Sequence, residues 1–230
     1  MSIKMKCKIV SFQEVYDMVR RVAEDVKTSG YDPTTVIGLA RGGWIPARLI
    51  CDFLGITDLL SLKVEHWLQT GKTKDEATIR YPLNIDLSGK TLLVVDDITD
   101  TGKSLITSTE YLKQLNPSKM RTVTMQYFPK SKFKPNYFAE KVKEWMWFIY
   151  PWNWIEDTST LIVRLMSMQN GKNMSHLAIN KGLKENFNIK WNKIMLIHIL
   201  KVMAERGQVE SLKKGRGVQY KLKKRKVIQL

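Results

Sequence analysis

Residues 91–104 of this 230-residue chain read Thr-Leu-Leu-Val-Val-Asp-Asp-Ile-Thr-Asp-Thr-Gly-Lys-Ser, and they decide the fold. The apolar run at 91–95 predicts a buried strand. Residues 96–103 predict a loop, and a helix is expected from 104 to 115. Two carboxylates therefore stand at the carboxyl end of a strand, which is where open α/β sheets bind their ligands.

The side chains of this segment suit a phosphorylated sugar. Asp96 and Asp97 can hydrogen-bond vicinal hydroxyls, directly or through a metal ion, and Mg²⁺ prefers oxygen ligands. Loop amides and hydroxyls at a helix start can hold a phosphate. The residues that follow the acidic pair at this helix start are Asp100, Thr101, Gly102, Lys103 and Ser104.

The flanking sequence predicts alternating helices and strands. Ser11 and Glu14 form a capping box before an amphipathic helix that Gly30 ends. A buried strand is expected at 35–40, a helix at 45–54, and a long polar loop at 66–81. Further strands are expected at 59–64, 122–127 and 145–150. This alternation predicts a parallel α/β sheet flanked by helices.

Residues 94–104 resemble the motif with which type I phosphoribosyltransferases bind 5-phosphoribosyl-1-pyrophosphate (PRPP). The upstream segment Ala40-Arg41-Gly42-Gly43 is similar to the pyrophosphate loop of that family. The resemblance covers about residues 12–157 and implies the family's fold, a parallel sheet with flanking helices and a hood. It implies that Asp96 and Asp97 bind the ribose hydroxyls and Mg²⁺, that residues 100–104 hold the 5-phosphate, and that 66–81 is a mobile cover.

The resemblance also narrows the base that would accept the phosphoribosyl group. Asp100 is typical of the 6-oxopurine branch, where this residue lies beside purine N7 and acts as the general acid/base. Residues 147–152 resemble the aromatic strand of bacterial and archaeal xanthine-guanine enzymes, so Trp147 or Phe148 is expected to stack on the purine. One departure stands out, because Phe128 aligns with the family's base-contacting lysine. Lys130 could replace it only after a loop shift, which leaves a changed base open.

The resulting hypothesis is a purine-salvage enzyme whose substrates are PRPP and guanine, xanthine or hypoxanthine, and whose product is a nucleoside monophosphate. The alternative is a DNA-binding transcription regulator that senses PRPP or a nucleotide through the same domain. Asp100, the pyrophosphate loop and the aromatic strand favour the enzyme, whereas Phe128 and the basic C-terminus favour the regulator.

Charge divides the chain unevenly. Residues 1–163 carry 22 Lys and Arg against 19 Asp and Glu, whereas 164–230 carry 16 against 3. We therefore predict a phosphoribosyltransferase domain at 1–163 and a small basic domain at 164–230. Since the residues assigned to PRPP precede 163, deletion of 164–230 is expected to spare the transfer chemistry.

The basic domain is predicted to be winged-helix-like. A helix is expected at 190–206, followed by an extended piece, a turn at 213–217 and a strand at 218–222. Residues 198–224 faintly resemble the globular domain of linker histones, with 213–217 as the wing. The residues expected to contact nucleic-acid phosphates are Lys213, Lys214, Arg216, Lys223, Lys224 and Arg225. Oligomer contacts and solubility are the alternative roles for this domain.

The remaining expectations concern location and assembly. There is no run of 18 apolar residues and no apolar segment after the basic start, so neither a membrane span nor a signal peptide is expected. The two cysteines, Cys7 and Cys51, do not form a disulfide framework. We expect a cytoplasmic homodimer.

Overall fold

The computed structural model describes residues 5–69, 72–214 and 217–223. The strands are β1 (Cys7–Ile9), β2 (Thr35–Ala40), β3 (Leu59–Gln69), β4 (Lys72–Tyr81), β5 (Thr91–Thr99), β6 (Lys119–Tyr127), β7 (Tyr137–Lys141), β8 (Trp147–Ile149), β9 (Met174–Ser175), β10 (Val209–Lys214) and β11 (Gly217–Leu222). The helices are α1 (Phe12–Thr28), α2 (Trp44–Leu54), α3 (Lys103–Lys113), α4 (Trp154–Met168), α5 (His176–Phe187) and α6 (Lys193–Glu205).

The chain divides into two compact units. One unit is Ser11–Trp145, and the other combines Met1–Val10 with Met146–Leu230. Each unit has a buried apolar core of its own. The first unit contains both segments that the sequence predicts to bind a phosphorylated sugar.

A six-stranded sheet in the order β4-β3-β2-β5-β6-β7 forms the centre of the first unit. All neighbouring strands are parallel except β3 and β4. Every residue of β2 is buried, because helices cover both faces of the sheet. Leu39 packs with Leu105 of α3 on one face, and Ala47 of α2 lies against Gly38 on the other. Each fully buried Leu or Ile side chain contributes about 1.5–3 kcal/mol.

The predicted helix boundaries of α1 and α2 are confirmed. The Ser11 hydroxyl accepts a hydrogen bond from the Glu14 amide at 3.1 Å, and the Glu14 carboxylate accepts one from the Ser11 amide at 2.8 Å. Helix α2 ends at Gly55, whose φ of +72° lies in the left-handed region that favours glycine. Loss of a cap such as Ser11 typically costs about 1 kcal/mol.

The long loop predicted at 66–81 is wrong. Strand β3 continues to Gln69, and β4 returns antiparallel beside it. Ala77 and Ile79 pack partly against the core while Thr78 and Arg80 are exposed, which is the alternation of a half-buried strand. The loop was predicted because the segment has few apolar residues, but those residues alternate with polar ones, which is typical of a strand. A covering role for this segment stays a prediction.

The acidic pair also lies in a strand and not in the predicted loop. Strand β5 extends to Thr99 because β6 runs beside it over the same length, with Asp96 opposite Thr124 and Thr99 opposite Tyr127. Strand β7 was not predicted. The helix expected at 104–115 is observed as α3, which begins and ends slightly earlier.

The described residues of the second unit form two small sheets and three α-helices. Strand β1 pairs in parallel with β8, so the strand predicted at 145–150 is shorter than expected and does not join the six-stranded sheet. Strands β9, β10 and β11 form an antiparallel sheet in the order β10-β11-β9. Helix α6 and the strands β10 and β11 confirm the predicted elements, whereas α4 and α5 were missed. Arg216, Lys224 and Arg225 lie outside the described residues.

The core of the second unit uses both ends of the chain. Cys7 from the N-terminus packs in the same cluster as Ile149 of β8, Leu161 of α4, Leu200 of α6 and Tyr220 of β11. Burial and the charge of Asp157 raise the pKa of the Cys7 thiol to about 12, as expected for a structural cysteine. The domain boundary predicted after residue 163 falls inside α4, because it followed surface charge and not apolar contacts.

Among the helices of the described ranges, none combines the length and the apolar composition that crossing a bilayer requires.

This shared core changes the expected effect of truncation. Deleting residues 164–230 cuts α4 and removes the packing partners of Cys7, Ile149 and Leu161, so we expect misfolded or insoluble protein. Losing one buried Leu side chain alone costs about 2–5 kcal/mol. Soluble yield and thermal melting by circular dichroism, compared with the full chain, measure this. A truncated protein that melts like the full chain would contradict the shared core.

Candidate functional site

Two loops meet at the carboxyl edge of the first unit's sheet. Strands β2 and β5 are parallel neighbours, with Gly38 opposite Val95. Residues 41–43 follow β2, and residues 100–102 follow β5. Because parallel strands end at the same edge, both predicted ligand-binding loops lie side by side.

The first loop approaches β5 so closely that Gly42 and Gly43 have no room for side chains. A Cβ atom on Gly42 would overlap the Asp97 carboxylate, and one on Gly43 would overlap the Val95 carbonyl oxygen. The Gly43 amide donates to the Leu39 carbonyl at 2.8 Å, which closes the turn after β2. The glycines therefore bring the loop backbone against the acidic pair.

Asp96 and Asp97 are adjacent on β5, and both are partly buried. The Asp97 amide donates to Asp96 Oδ1 at 3.0 Å. Burial, together with the negative charge of Asp97, raises the pKa of the Asp96 carboxyl well above its usual range. Because two carboxylates this close repel each other, binding a cation or hydroxyl donors is favourable.

Asp100 follows β5 and contacts a residue that the sequence did not single out. The indole Nε1 of Trp145 donates to Asp100 Oδ2 at 3.5 Å. Burial raises the pKa of Asp100, and the hydrogen bond from Trp145 acts in the opposite direction. No local sequence signal links these residues, because they are 45 positions apart.

The start of α3 is shaped to receive an anion. Its N-cap is Gly102, which has a φ of +83° and no side chain to cap the helix. A Cβ atom there would lie 2.6 Å from Ser131 Oγ and 2.7 Å from Phe133 Cβ, so the loop tolerates only glycine. The Lys132 amide donates to the Thr101 carbonyl at 3.2 Å, which fixes the segment after β6 against this loop. Amides at such a helix start bind phosphate.

Phe128 and Lys130 have opposite environments. Phe128 is 5% exposed, and its amide donates to the Thr99 carbonyl at 3.0 Å. Lys130 is exposed in the turn that follows. In this conformation the residue aligned with the expected lysine is therefore an aromatic core residue.

Trp147 and Phe148, the other predicted base-pocket residues, belong to the second unit. Trp147 is partly buried on β8. Phe148 is buried with its ring 6.2 Å from that of Tyr150, which stacks on Trp152 at 4.9 Å. Both residues pack in their own unit, and their part in a base pocket stays a prediction.

The described residues hold no cluster of three or more His, Cys, Asp or Glu side chains able to ligate a metal. Asp96 and Asp97 supply two carboxylates at an open edge. Such a pair fits Mg²⁺, which usually binds one or two protein carboxylates and completes its shell with water and substrate phosphates.

Comparison with known proteins agrees with this geometry. Residues 8–156 match the family profile described as "Phosphoribosyl transferase domain". A xanthine-guanine phosphoribosyltransferase of Cereibacter sphaeroides is 26% identical over 150 residues, which cover 63% of this chain and 85% of the relative. The hypoxanthine-guanine phosphoribosyltransferase of Saccharomyces cerevisiae is 22% identical over 209 residues, which cover 72% and 92%.

A solved structure gives the same comparison in three dimensions. The crystal structure of a purine phosphoribosyltransferase from Pyrococcus horikoshii superposes with a TM-score of 0.57 at 29% identity. The match covers 65% of this chain and 95% of that structure. The family profile ends at residue 156, so most of the C-terminal basic region lies outside it.

The raised pKa of Asp96 predicts a stability effect with a defined sign. Above the ordinary pKa of an aspartate, the folded protein bears the cost of either burying a charged Asp96 or protonating it, so Asp96→Asn is expected to raise Tm at pH 7–8 in EDTA-containing buffer. The amide oxygen keeps the hydrogen bond from the Asp97 amide. Each kcal/mol gained corresponds to about 2–4 °C in a protein of this size.

The same reasoning fixes the pH dependence. The raised pKa of Asp96 lowers the free energy of unfolding of the unsubstituted protein relative to Asp96→Asn. This difference is fully present above the folded pKa and disappears as pH falls towards the ordinary Asp value of about 3.9. Thermal melts of both proteins between pH 4 and pH 8 measure it, with the exposed Asp32→Asn as the matched control. A lower Tm for Asp96→Asn at pH 8 would show that the charge is stabilising.

Proposed function

Because the chain belongs to the phosphoribosyl transferase domain family, we propose that it transfers the 5-phosphoribosyl group of PRPP to a 6-oxopurine base and releases pyrophosphate. The observation that carries this proposal is the meeting of two loops at the ends of β2 and β5, beside Asp96 and Asp97. The relatives named for xanthine, guanine and hypoxanthine support the base class. The product is a nucleoside monophosphate, and the role is purine salvage.

PRPP binding uses the two loops and the acidic pair. Asp96 and Asp97 hydrogen-bond the ribose 2- and 3-hydroxyls and hold Mg²⁺. The metal, when bound, neutralises charge on the departing pyrophosphate. Residues 40–43 hold the pyrophosphate through backbone amides, which the absence of side chains at Gly42 and Gly43 makes accessible. Residues 100–104 hold the 5-phosphate at the start of α3.

The chemical step requires a group that accepts a proton from the purine. Purine N9 attacks C1 of the ribose as the bond to the pyrophosphate oxygen breaks, and the proton on N7 passes to Asp100. Burial raises the pKa of Asp100, which makes its carboxylate a stronger base than an exposed aspartate. The Trp145 indole donates to Oδ2 of Asp100, so Oδ1 is the oxygen proposed to face N7.

We propose two further features at a finer level. The order β9, α5, α6, β10, β11 and its three-stranded sheet support a winged-helix-like C-terminal module. A cytoplasmic homodimer stays a prediction. The alternative of a PRPP-sensing regulator gains no support from the relatives described above, which are named as enzymes.

Asp100→Asn is expected to lower kcat about 10²–10⁴-fold while PRPP binding is retained, because the amide has nearly the same shape but cannot accept the N7 proton. Steady-state pyrophosphate release and equilibrium dialysis of PRPP measure the two effects. The double variant Asp96→Ala, Asp97→Ala is the contrasting control and should lose PRPP affinity itself. Full turnover in Asp100→Asn would remove its assigned role.

The base is tested by measuring pyrophosphate release from PRPP and Mg²⁺ with guanine, hypoxanthine, xanthine or adenine. We expect one or more 6-oxopurines to be at least tenfold better than adenine in kcat/KM. Adenine preference would contradict the 6-oxopurine assignment. It would indicate that Phe128, in place of the family's lysine, changes which base is bound. No release with any base would contradict the transferase function.

Lys130→Gln, made in parallel, resolves the role of this exposed lysine. If the turn shifts so that Lys130 meets purine O6, the KM for the base rises while the KM for PRPP does not. An unchanged KM for the base leaves Lys130 outside the pocket.

A further inference from the structure

We propose that the segment from β9 to β11 binds the phosphate backbone of duplex DNA, with little sequence specificity, through exposed cations on α6 and on the β10–β11 hairpin. This surface goes beyond the transferase function. It lies outside residues 8–156, which match the family profile. The proposal rests on three observations: the way the charges are paired, the shape of the hairpin and the placement of one lysine.

The three acidic residues after position 163 each have a lysine neighbour. Glu185 lies 3.9 Å from Lys181 and Glu205 lies 4.0 Å from Lys201, one helical turn apart in each case. Glu210 lies opposite Lys221 in the register of β10 and β11. The two ion pairs on the helices are exposed and contribute little stability. They leave the acidic residues unable to neutralise the rest of the basic surface.

Other cations of the segment are exposed and make no ion pair within the described residues. They are Lys184, Lys190, Lys193, Arg206 and Lys213 within the segment, and Lys172 and Lys223 directly beside it. Seven uncompensated charges on about 50 residues repel one another and oppose compaction. A polyanion relieves that repulsion, and duplex DNA presents a phosphate charge about every 1.7 Å of its axis.

Strands β10 and β11 are buried at one end and place the exposed Lys213 at a distance from the core. Val209 and Tyr220, near this end, are buried. Lys213 and Val218, which face each other farther along the two strands, are exposed. These two residues are therefore free to lie along a phosphate backbone, whereas Val209 and Tyr220 are fixed in the apolar cluster.

Helix α6 contributes a cation that helix stability does not explain. Lys193 is the first residue of α6, after the Asn192 cap, where the positive end of the helix dipole disfavours a lysine. The same end favours an anion, so a phosphate beside Lys193 would be attracted by both charges. The exposed face of α6 also presents Ile194, Ile197 and His198 and has no Arg, Asn or Gln to read base edges, hence the low sequence specificity.

Fluorescence anisotropy of the full chain on a labelled 25-base-pair duplex tests the proposal. About 4–6 phosphate contacts predict a slope of roughly −4 to −5 for log affinity against log salt. Affinity then falls about 10²–10³-fold between about 50 and 200 mM salt. Two duplexes of unrelated sequence should bind within a few-fold of each other. No binding at low salt, or binding without salt dependence, overturns the proposal.

Matched charge variants distinguish DNA binding by this surface from an effect of the protein's total charge. Lys193→Gln, Lys213→Gln, Lys223→Gln should make the slope shallower by about 2–3, since each phosphate contact contributes about 0.9. The control Lys27→Gln, Lys113→Gln, Lys119→Gln removes three exposed charges from the other unit and should leave the slope unchanged. Pyrophosphate release by both variants verifies that they fold.

Equal losses in the two variants would mean that only total charge matters and would overturn the proposed surface. Sedimentation velocity of the same proteins tests the exposed Ile194, which is 83% accessible, as a contact between copies of the chain. Self-association that depends on Lys193, Lys213 and Lys223, without DNA binding, would assign this surface to a protein partner and overturn the proposal.

Discussion

Two carboxylates fixed side by side at the end of a buried strand are the constraint on which this protein depends. Asp96 and Asp97 are consecutive residues of β5, which pairs with β2 as far as Val95 and with β6 beyond it, so their positions are fixed by the sheet. Desolvation and mutual repulsion raise the pKa of Asp96, so the arrangement costs stability. The same arrangement favours a cation and sugar hydroxyls, which relieve that repulsion. Binding and instability thus have a common physical origin.

Close packing explains why the loops at this edge of the sheet contain glycine at the positions that lie against neighbouring segments. Gly42 and Gly43 lie against β5, and Gly102 lies against the segment that follows β6. A side chain at any of the three would overlap a neighbour, so each loop exposes amides where an anion needs them. The sheet contributes to function through its spacing, since adjacent parallel strands hold the loops at a fixed separation.

In the second unit, the residues that form the apolar core and the residues that carry the charge have different distributions along the chain. Its core joins Cys7 near the N-terminus to Tyr220 near the C-terminus, whereas its cations stand on the outside of α6 and the hairpin. Apolar contacts and charge therefore define different boundaries along the chain. Charged side chains such as Lys213 are exposed, so their substitution disturbs little of the packing that holds the unit together.

The sequence by itself determined the features that contiguous residues encode. The order of apolar run, carboxylates and Thr-Gly loop at 91–104 predicted the strand, the helix and the acidic edge. Only tertiary structure decided the features that need distant partners. The pairing of β4 with β3 goes with the packing of Ala77 and Ile79 against the core. The contact of Trp145 with Asp100 joins residues 45 positions apart, and Phe128 is buried because the chain packs around it. Strand pairing and burial are set by such long-range contacts, which local residue patterns do not contain.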